Sequence, residues 1–309
     1  MTAAAEPANL LNFVYVPKGA PIAREAGALL RDYFARGVET EYKGDVDLVT
    51  VADRAAEKLI RSRLAEVFPD HGVYGEEGTR ERLEREFRWY VDPLDGTTNF
   101  AHGFPHFCVS LGLEHRPAGL RPEDDGTLTA ALIYDPMRDE MFTAERGRGA
   151  ELNGKTIEVS RTAELAEALL ATGFPSRKRH ASPNIHFYQE FTLRSHGVRR
   201  AGSAALDLAF VACGRMDAFW EFNLNPWDTA AGILLVEEAG GRVTDFAGGR
   251  YRLASDQILA SNGRIHDELV GLFGDMFAGR NLAPIPTPAE FARSRERGNK
   301  GAREHEAAG

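Results

Sequence analysis

The sequence predicts a mixed α/β protein built in layers, and three observations carry that expectation. Amphipathic helical stripes open the chain, a strand-rich stretch fills its middle from Phe107 to about Val159, and the second half alternates short strands with helices. Helices and sheets each have an apolar face to bury, and chains that mix them stack those faces in layers.

Residues 1–20 are small and mixed in character and read as irregular. A helix follows from Pro21 to about Ala35: proline suits a first turn, and Ile22, Leu29, Leu30, Tyr33 and Phe34 share one face. A second helix spans about Ala52–Phe68, with Leu59, Ile60, Leu64, Val67 and Phe68 as its stripe, and Pro69-Asp70-His71-Gly72 ends it. Phe87–Val91 is short and aromatic, which is strand texture. Phe107–Leu113, Leu128–Tyr134 and Glu140–Ala144 read as strands, with Asn153-Gly154 as a hairpin turn.

Further on, strands are expected at Ala168–Thr172, Val198–Arg200, Ala218–Phe222, Arg242–Asp245 and Gln257–Ala260. Helices are expected at Ile185–Ser195, Ser203–Cys213, Trp227–Ala239 and Arg264–Met276. The organisation expected is one domain over residues 1–280 in two packed αβ halves, about 1–160 and 161–280. The polar, proline-punctuated and then charged residues 281–309 read as a disordered tail.

Composition narrows the function classes. The chain has 309 residues, 43% hydrophobic and 27% charged, with a formal net charge of −9, so general attraction to nucleic acid or an anionic membrane is not expected. Its two cysteines, Cys108 and Cys213, sit in apolar stretches and make no disulfide or zinc framework. The N-terminus lacks a basic region followed by an apolar core, and no apolar run approaches the ~18 residues of a membrane span. A cytoplasmic location is the expectation.

Gly149-Ala-Glu-Leu-Asn-Gly154-Lys155-Thr156 satisfies the spacing of a phosphate-binding P-loop. That loop needs a buried strand before it and a helix after it. Thr156-Ile157-Glu158-Val159 alternates like a strand instead, so a hairpin is expected here.

The chemistry points elsewhere. In Asp92-Pro93-Leu94-Asp95-Gly96-Thr97-Thr98-Asn99-Phe100 a strand is expected to end at Asp92, because proline cannot continue it. Two carboxylates then stand at a strand end with the Leu94 carbonyl between them, a set of hard oxygen donors suited to Mg²⁺. If Gly96, Thr97 and Thr98 open a helix, their N–H groups favour a phosphate at the same place. A plain turn with solvated aspartates would explain Asp-Pro and Asp-Gly alone, but not the Gly-Thr-Thr-Asn-Phe run attached to them.

This segment resembles the first signature of the inositol monophosphatase family. Trp227-Asp228-Thr229-Ala230-Ala231-Gly232, followed by Gly240-Gly241, is similar to its second. The family's Gly-Glu-Glu element appears as Gly75-Glu76-Glu77, and its Asp-Leu-Val-Thr-x-x-Asp element as Asp47–Asp53. The four occur in the family's order, and the resemblance covers roughly residues 20 to 275.

The resemblance implies a layered αβαβα sandwich and a phosphomonoesterase that uses two to three Mg²⁺ ions. It implies that Glu76, Asp92 and the Leu94 carbonyl hold one ion, Asp92, Asp95 and Asp228 a second, and that Glu76 touches a third through water. It implies that Thr97, oriented by Asp53, positions the attacking water, and that Lys43 lies near the site without being a settled member of it. Substrate contacts are implied for Asp95, Gly96, Thr97, Thr98, Gly202, Ser203, Ala204, Glu221 and Asp228. Plainer roles compete: Asp53 and Asp228 can cap helices, Gly202-Ser203 can be a helix start, and Glu76-Glu77 an acidic turn.

The expected reaction is hydrolysis of myo-inositol-1-phosphate, or a similar small polyol or sugar phosphate, by direct attack of water activated between ions ~3.5–4 Å apart. No cysteine, serine or histidine shows the spacing of a covalent nucleophile, and the nine histidines show no zinc-ligand spacing. Histidinol phosphatase and fructose-1,6-bisphosphatase share such a site and stay open, as does a non-catalytic binding relative. The resemblance also implies lithium sensitivity and a homodimer.

Overall fold

The computed structural model describes residues 15–37, 40–42, 48–121, 124–174, 182–280, 282–284 and 287–290. Lys43 and most of the expected tail lie outside the described residues. The chain divides into two compact units, residues 1–274 and 275–309.

The first unit begins with α1 (Tyr15–Arg36), a hairpin of β1 (Thr40–Tyr42) and β2 (Leu48–Thr50), and α2 (Val51–Val67). An eight-stranded sheet follows: β3 (Gly72–Gly75), β4 (Arg80–Glu81), β5 (Phe87–Asp95), β6 (Cys108–His115), β7 (Thr127–Asp135), β8 (Glu140–Glu145), β9 (Ala150–Leu152) and β10 (Lys155–Ile157). Its spatial order is β10-β9-β8-β7-β6-β5-β3-β4, and only the β3–β5 pair is parallel. A short helix α3 (Thr97–Ala101) leaves the end of β5.

The second sheet holds β11 (Leu169–Thr172), β12 (Gly197–Arg199), β13 (Ala218–Phe222), β14 (Arg242–Thr244) and β15 (Gln257–Ser261), in the order β12-β11-β13-β15-β14. Its helices are α4 (Asn184–Arg194), α5 (Ala204–Ala212), α6 (Pro226–Glu238) and α7 (His266–Phe277).

Side-chain alternation along the strands sets the layers. Val91, Leu111, Leu113 and Leu132 pack with Ile22, Leu30, Ile60 and Leu64 of α1 and α2. Tyr90, Cys108, Ala131 and Ile133 point the other way, toward Leu206, Leu208, Leu234 and Leu235 of α5 and α6. Those two helices also receive Ala171, Phe219, Ile258 and Ala260 from the second sheet, and are therefore apolar nearly all round. On that sheet's far side, Trp220 meets Phe191 of α4 at 4.7 Å between ring centroids, and Phe273 of α7 stacks on Phe246 at 4.0 Å. The expected αβαβα layering is present.

In the second unit, Arg280 pairs with Asp275 at 2.8 Å, and the Thr287 N–H and hydroxyl both donate to Glu290 at 2.8 Å.

Several local expectations need correction. The first helix begins at Tyr15 rather than Pro21: Pro21 is exposed, and burial of Gly19, Ile22 and Ala23 outweighs the backbone hydrogen bond that proline removes. β5 does not stop at Asp92 but runs on to Asp95, and its register with β6 shifts between those residues, an irregularity that accommodates Pro93. The strands β1 to β4 were not expected, being two to four residues long. Asn153-Gly154 does turn a β9–β10 hairpin, with φ of 50° and 75°, so the P-loop spacing is accidental.

Candidate functional site

The end of β5 is held by its own side chains. The Leu94 N–H donates to Asp92 Oδ1 at 2.9 Å, and the Leu94 side chain is fully buried, which fixes its carbonyl. Asp95 Oδ2 accepts from Ser203 Oγ and from the Ala205 N–H, both at 2.7 Å. Ser203 is at the same time the N-cap of α5, accepting from the Leu206 N–H. Asp228 occupies the third position of α6, where its Oδ2 accepts from the Asn225 N–H at 2.7 Å, completing a capping box. The helix-start roles and the placement in the site are thus compatible for both Ser203 and Asp228.

Glu76 sits on the turn between β3 and β4. The buried Glu57 carboxylate of α2 organises that turn, accepting from the Glu77 N–H at 2.7 Å, the Thr79 N–H at 3.0 Å and the Thr79 hydroxyl at 2.6 Å. Gly75 permits this, since a methyl group there would collide with the Glu57 carboxylate.

Asp53 caps α2 with Thr50, accepting from the Thr50 N–H at 2.8 Å and hydroxyl at 2.6 Å. Its other oxygen lies 3.0 Å from Thr97 Oγ1, which is also 3.0 Å from the Leu94 carbonyl. A hydroxyl has one proton, so these two acceptors compete for it.

Glu76, Asp92, Leu94, Asp95, Gly96, Thr97, Thr98, Gly202, Ser203, Ala204, Glu221 and Asp228 line one cavity. Every site residue expected from the sequence is there except Asp53, which stands behind Thr97 and is 1% exposed. Asp207, Arg200, Gly173, Phe174 and Leu224 also line it and were not expected. A signal for Asp207 was available: it is the one polar residue in the run Ala-Ala-Leu-Asp-Leu-Ala-Phe-Val-Ala. Gly173 matters because any side chain there would occupy the place of the Glu221 carboxyl. The helix α3 has five residues, so its dipole adds less to an anion cradle than expected.

So many acids in one cavity cannot all be comfortably ionised. Burial, then the charges of Glu76, Asp95 and Asp228, push the Asp92 carboxyl well above the usual carboxylate range. Burial, then Asp95, push Glu221 and Asp228 each up to about 8. Burial raises Asp53 too, against the hydrogen bonds from Thr50 and Thr97. Protons or cations must balance this charge.

The donor set, carboxylates plus a carbonyl with no histidine or free thiolate, fits a hard divalent cation. Among the described residues, no three Asp, Glu, His or Cys side chains already form a closed ligand cluster. Asp92, Asp95 and Asp228 each commit one oxygen to a hydrogen bond of the fold.

The model of the inositol monophosphatase family matches residues 17–275. The chain belongs to the inositol monophosphatase family. Among its relatives, the Nus factor SuhB of Pseudomonas aeruginosa is 45% identical over 248 residues, 78% of this chain and 88% of the relative. An inositol-1-monophosphatase of Synechocystis is 42% identical over 268 residues, 85% of this chain and 89% of the relative. The solved inositol monophosphatase of Anabaena superposes with a TM-score of 0.75 at 39% identity, covering 88% of this chain and 97% of the other. The extragenic suppressor protein suhB of Bartonella henselae superposes with a TM-score of 0.77 at 41% identity, covering 84% and 97%. This inositol monophosphatase family fold therefore carries its acidic cavity between β5, α5 and α6. No helix among its described residues is long and apolar enough to cross a membrane.

Proposed function

We propose that this chain is a Mg²⁺-dependent phosphomonoesterase of small phosphorylated polyols or sugars, with myo-inositol-1-phosphate as its leading substrate. The observation that carries the reading is the meeting of Glu76, Asp92, Asp95 and Asp228 with the Thr97–Asp53 pair at one cavity. Glu76, Asp92 and the Leu94 carbonyl would hold one ion, Asp92, Asp95 and Asp228 a second, and Glu76 a third through water. When bound, Mg²⁺ supplies charge neutralisation on the phosphate and a lower pKa for water.

The chain's own residues do the rest. Thr97 Oγ1 passes its proton to Asp53 Oδ1 and is then free to accept one from the attacking water, which it orients. The new P–O bond forms opposite the ester oxygen, the P–O ester bond breaks, and the polyol oxygen leaves with a proton from solvent. No phosphoenzyme is formed. Gly202, Ser203, Ala204 and Glu221 contact the polyol hydroxyls, while Gly96, Thr97 and Thr98 border the phosphate.

The test is phosphate release across a panel of inositol-1-phosphate, histidinol phosphate and fructose-1,6-bisphosphate, with Asp95→Asn as the control. Inositol phosphate turning over with the highest kcat/KM supports the reading, and inositol phosphate as the poorest member by about ten-fold assigns the site to one of the others. Lithium inhibition, a homodimer and cytoplasmic residence belong to the same proposal through the family resemblance. A second reading, a non-catalytic binding relative, is favoured by the Nus factor name of several relatives. Absence of phosphate release from every panel member with millimolar Mg²⁺ would favour it over the phosphatase reading.

A further inference from the structure

Asp207 has no part in the mechanism above. It stands in the first turn of α5, a helix otherwise wholly apolar, and is 1% exposed. Acids often occupy first turns to satisfy free N–H groups or to oppose the helix dipole. Those donors are already taken: Leu206 N–H by Ser203 Oγ, Ala205 N–H by Asp95, and Asp207 N–H by the Ser203 carbonyl.

The Asp207 side chain is left with a buried Oδ1 that has no hydrogen-bond partner among the described residues. A buried oxygen without a donor is among the costliest arrangements a core can hold, and native proteins keep few of them without a use. Asp207 lines the cavity together with Glu221 and Arg200. Burial, then the charges of Glu221 and Asp95, push the Asp207 carboxyl well above the usual carboxylate range, and Arg200 opposes them only in part. Glu221 arrives from β13, in the space that Gly173 leaves open. Two buried acids from separate elements thus line the same cavity.

We propose that Asp207 is a specificity-determining residue that, with Glu221, accepts hydrogen bonds from two hydroxyls of a bound polyol phosphate. The inference rests on the phosphatase reading for the site it occupies. A ligand rich in hydroxyls supplies the donor that Oδ1 lacks in the fold. A ligand without them leaves the oxygen buried and unsatisfied, which is how a site built for hydroxyls rejects its analogues.

The experiment compares wild type, Asp207→Leu and Asp207→Asn on myo-inositol-1-phosphate and on p-nitrophenyl phosphate, which has no polyol. Removing the acceptor with leucine should lower kcat/KM for the polyol phosphate by about ten-fold or more, chiefly through KM, and lower the aryl phosphate several-fold less. Asparagine keeps one acceptor oxygen and should recover part of the loss. Equal losses on both phosphates, or no loss on either, would overturn the assignment.

Calorimetric titration of the Mg²⁺-loaded proteins, each also carrying Thr97→Val to slow hydrolysis, with the same inositol phosphate and with inorganic phosphate gives a binding readout separate from kcat. Leucine should weaken the first and spare the second; equal weakening, or no binding of the polyol phosphate by the chain that keeps Asp207, overturns the inference. A wild-type chain that binds the polyol phosphate through Asp207 and releases no phosphate would keep the inference and remove the hydrolytic reading.

Discussion

Ser203 Oγ donates to Asp95 Oδ2 across 2.7 Å, joining residues 108 positions apart in the sequence. The same hydroxyl accepts from the Leu206 N–H and so starts α5. One side chain therefore fixes an acid at the end of the first sheet and the beginning of the helix that carries Asp207 between the two sheets.

Ser203→Ala should act on both counts. Loss of an N-cap costs about 1 kcal/mol. The freed Asp95 carboxylate should also lower kcat, so that activity falls further than the change in thermal midpoint predicts. Thermal unfolding and phosphate release on the same preparation check this, and a stability loss with normal kcat would confine Ser203 to capping.

Thr97 is placed by its hydroxyl, 3.0 Å from Asp53 Oδ1. Thr97→Val keeps the shape and removes the proton donor, and should reduce kcat by about 10²-fold or more, the scale of general acid–base assistance. Thr97→Ser should retain most activity. Turnover in Thr97→Val equal to wild type would remove the residue from the reaction.

Glu57 never reaches the cavity but holds the turn that carries Glu76. Gly75→Ala pushes a methyl group into the Glu57 carboxylate. The expected outcome is a several-fold higher Mg²⁺ concentration for half-maximal activity, with a smaller change in the substrate KM. Metal titration of activity, repeated by calorimetry, measures it.

The pH dependence follows from the raised acids. Glu221 and Asp228 hold protons up to about pH 8 in the fold, while the unfolded chain releases them near the ordinary carboxylate range. Between those limits the folded state binds more protons at these two groups, so without added cation their contribution to stability is complete below about pH 4 and is lost as pH rises toward 8, by a few kcal/mol in order of magnitude. Millimolar Mg²⁺ should flatten this decline, because cations replace the protons. Thermal midpoints at intervals from pH 5 to 8, with and without Mg²⁺, test the prediction, and Glu221→Gln should reduce the slope.

Most long elements were legible because their burial repeats along the chain. Leu59, Ile60 and Leu64 repeat at helical spacing, and β5 to β8 combine apolar runs with turn residues. The start of α1 was not legible, because Pro21 lies on its exposed side and burial of its neighbours holds the turn together. The short strands β1 to β4 were missed because two to four residues carry no period.

In the site, Asp53, Glu76, Asp92, Asp95, Thr97 and Asp228 could be named from four ordered local patterns, since each lies at a strand end, turn or helix start whose chemistry is local. What the sequence determined by itself was the set of oxygen donors and the family they belong to. Only the tertiary structure decided that Asp207 lines the same cavity and keeps a buried oxygen without a partner, that Glu57 supports the Glu76 turn, and that Ser203 reaches Asp95. Those relationships join residues from separate elements, and packing, with its demand that buried polar atoms find partners, brings them together where no local pattern records it.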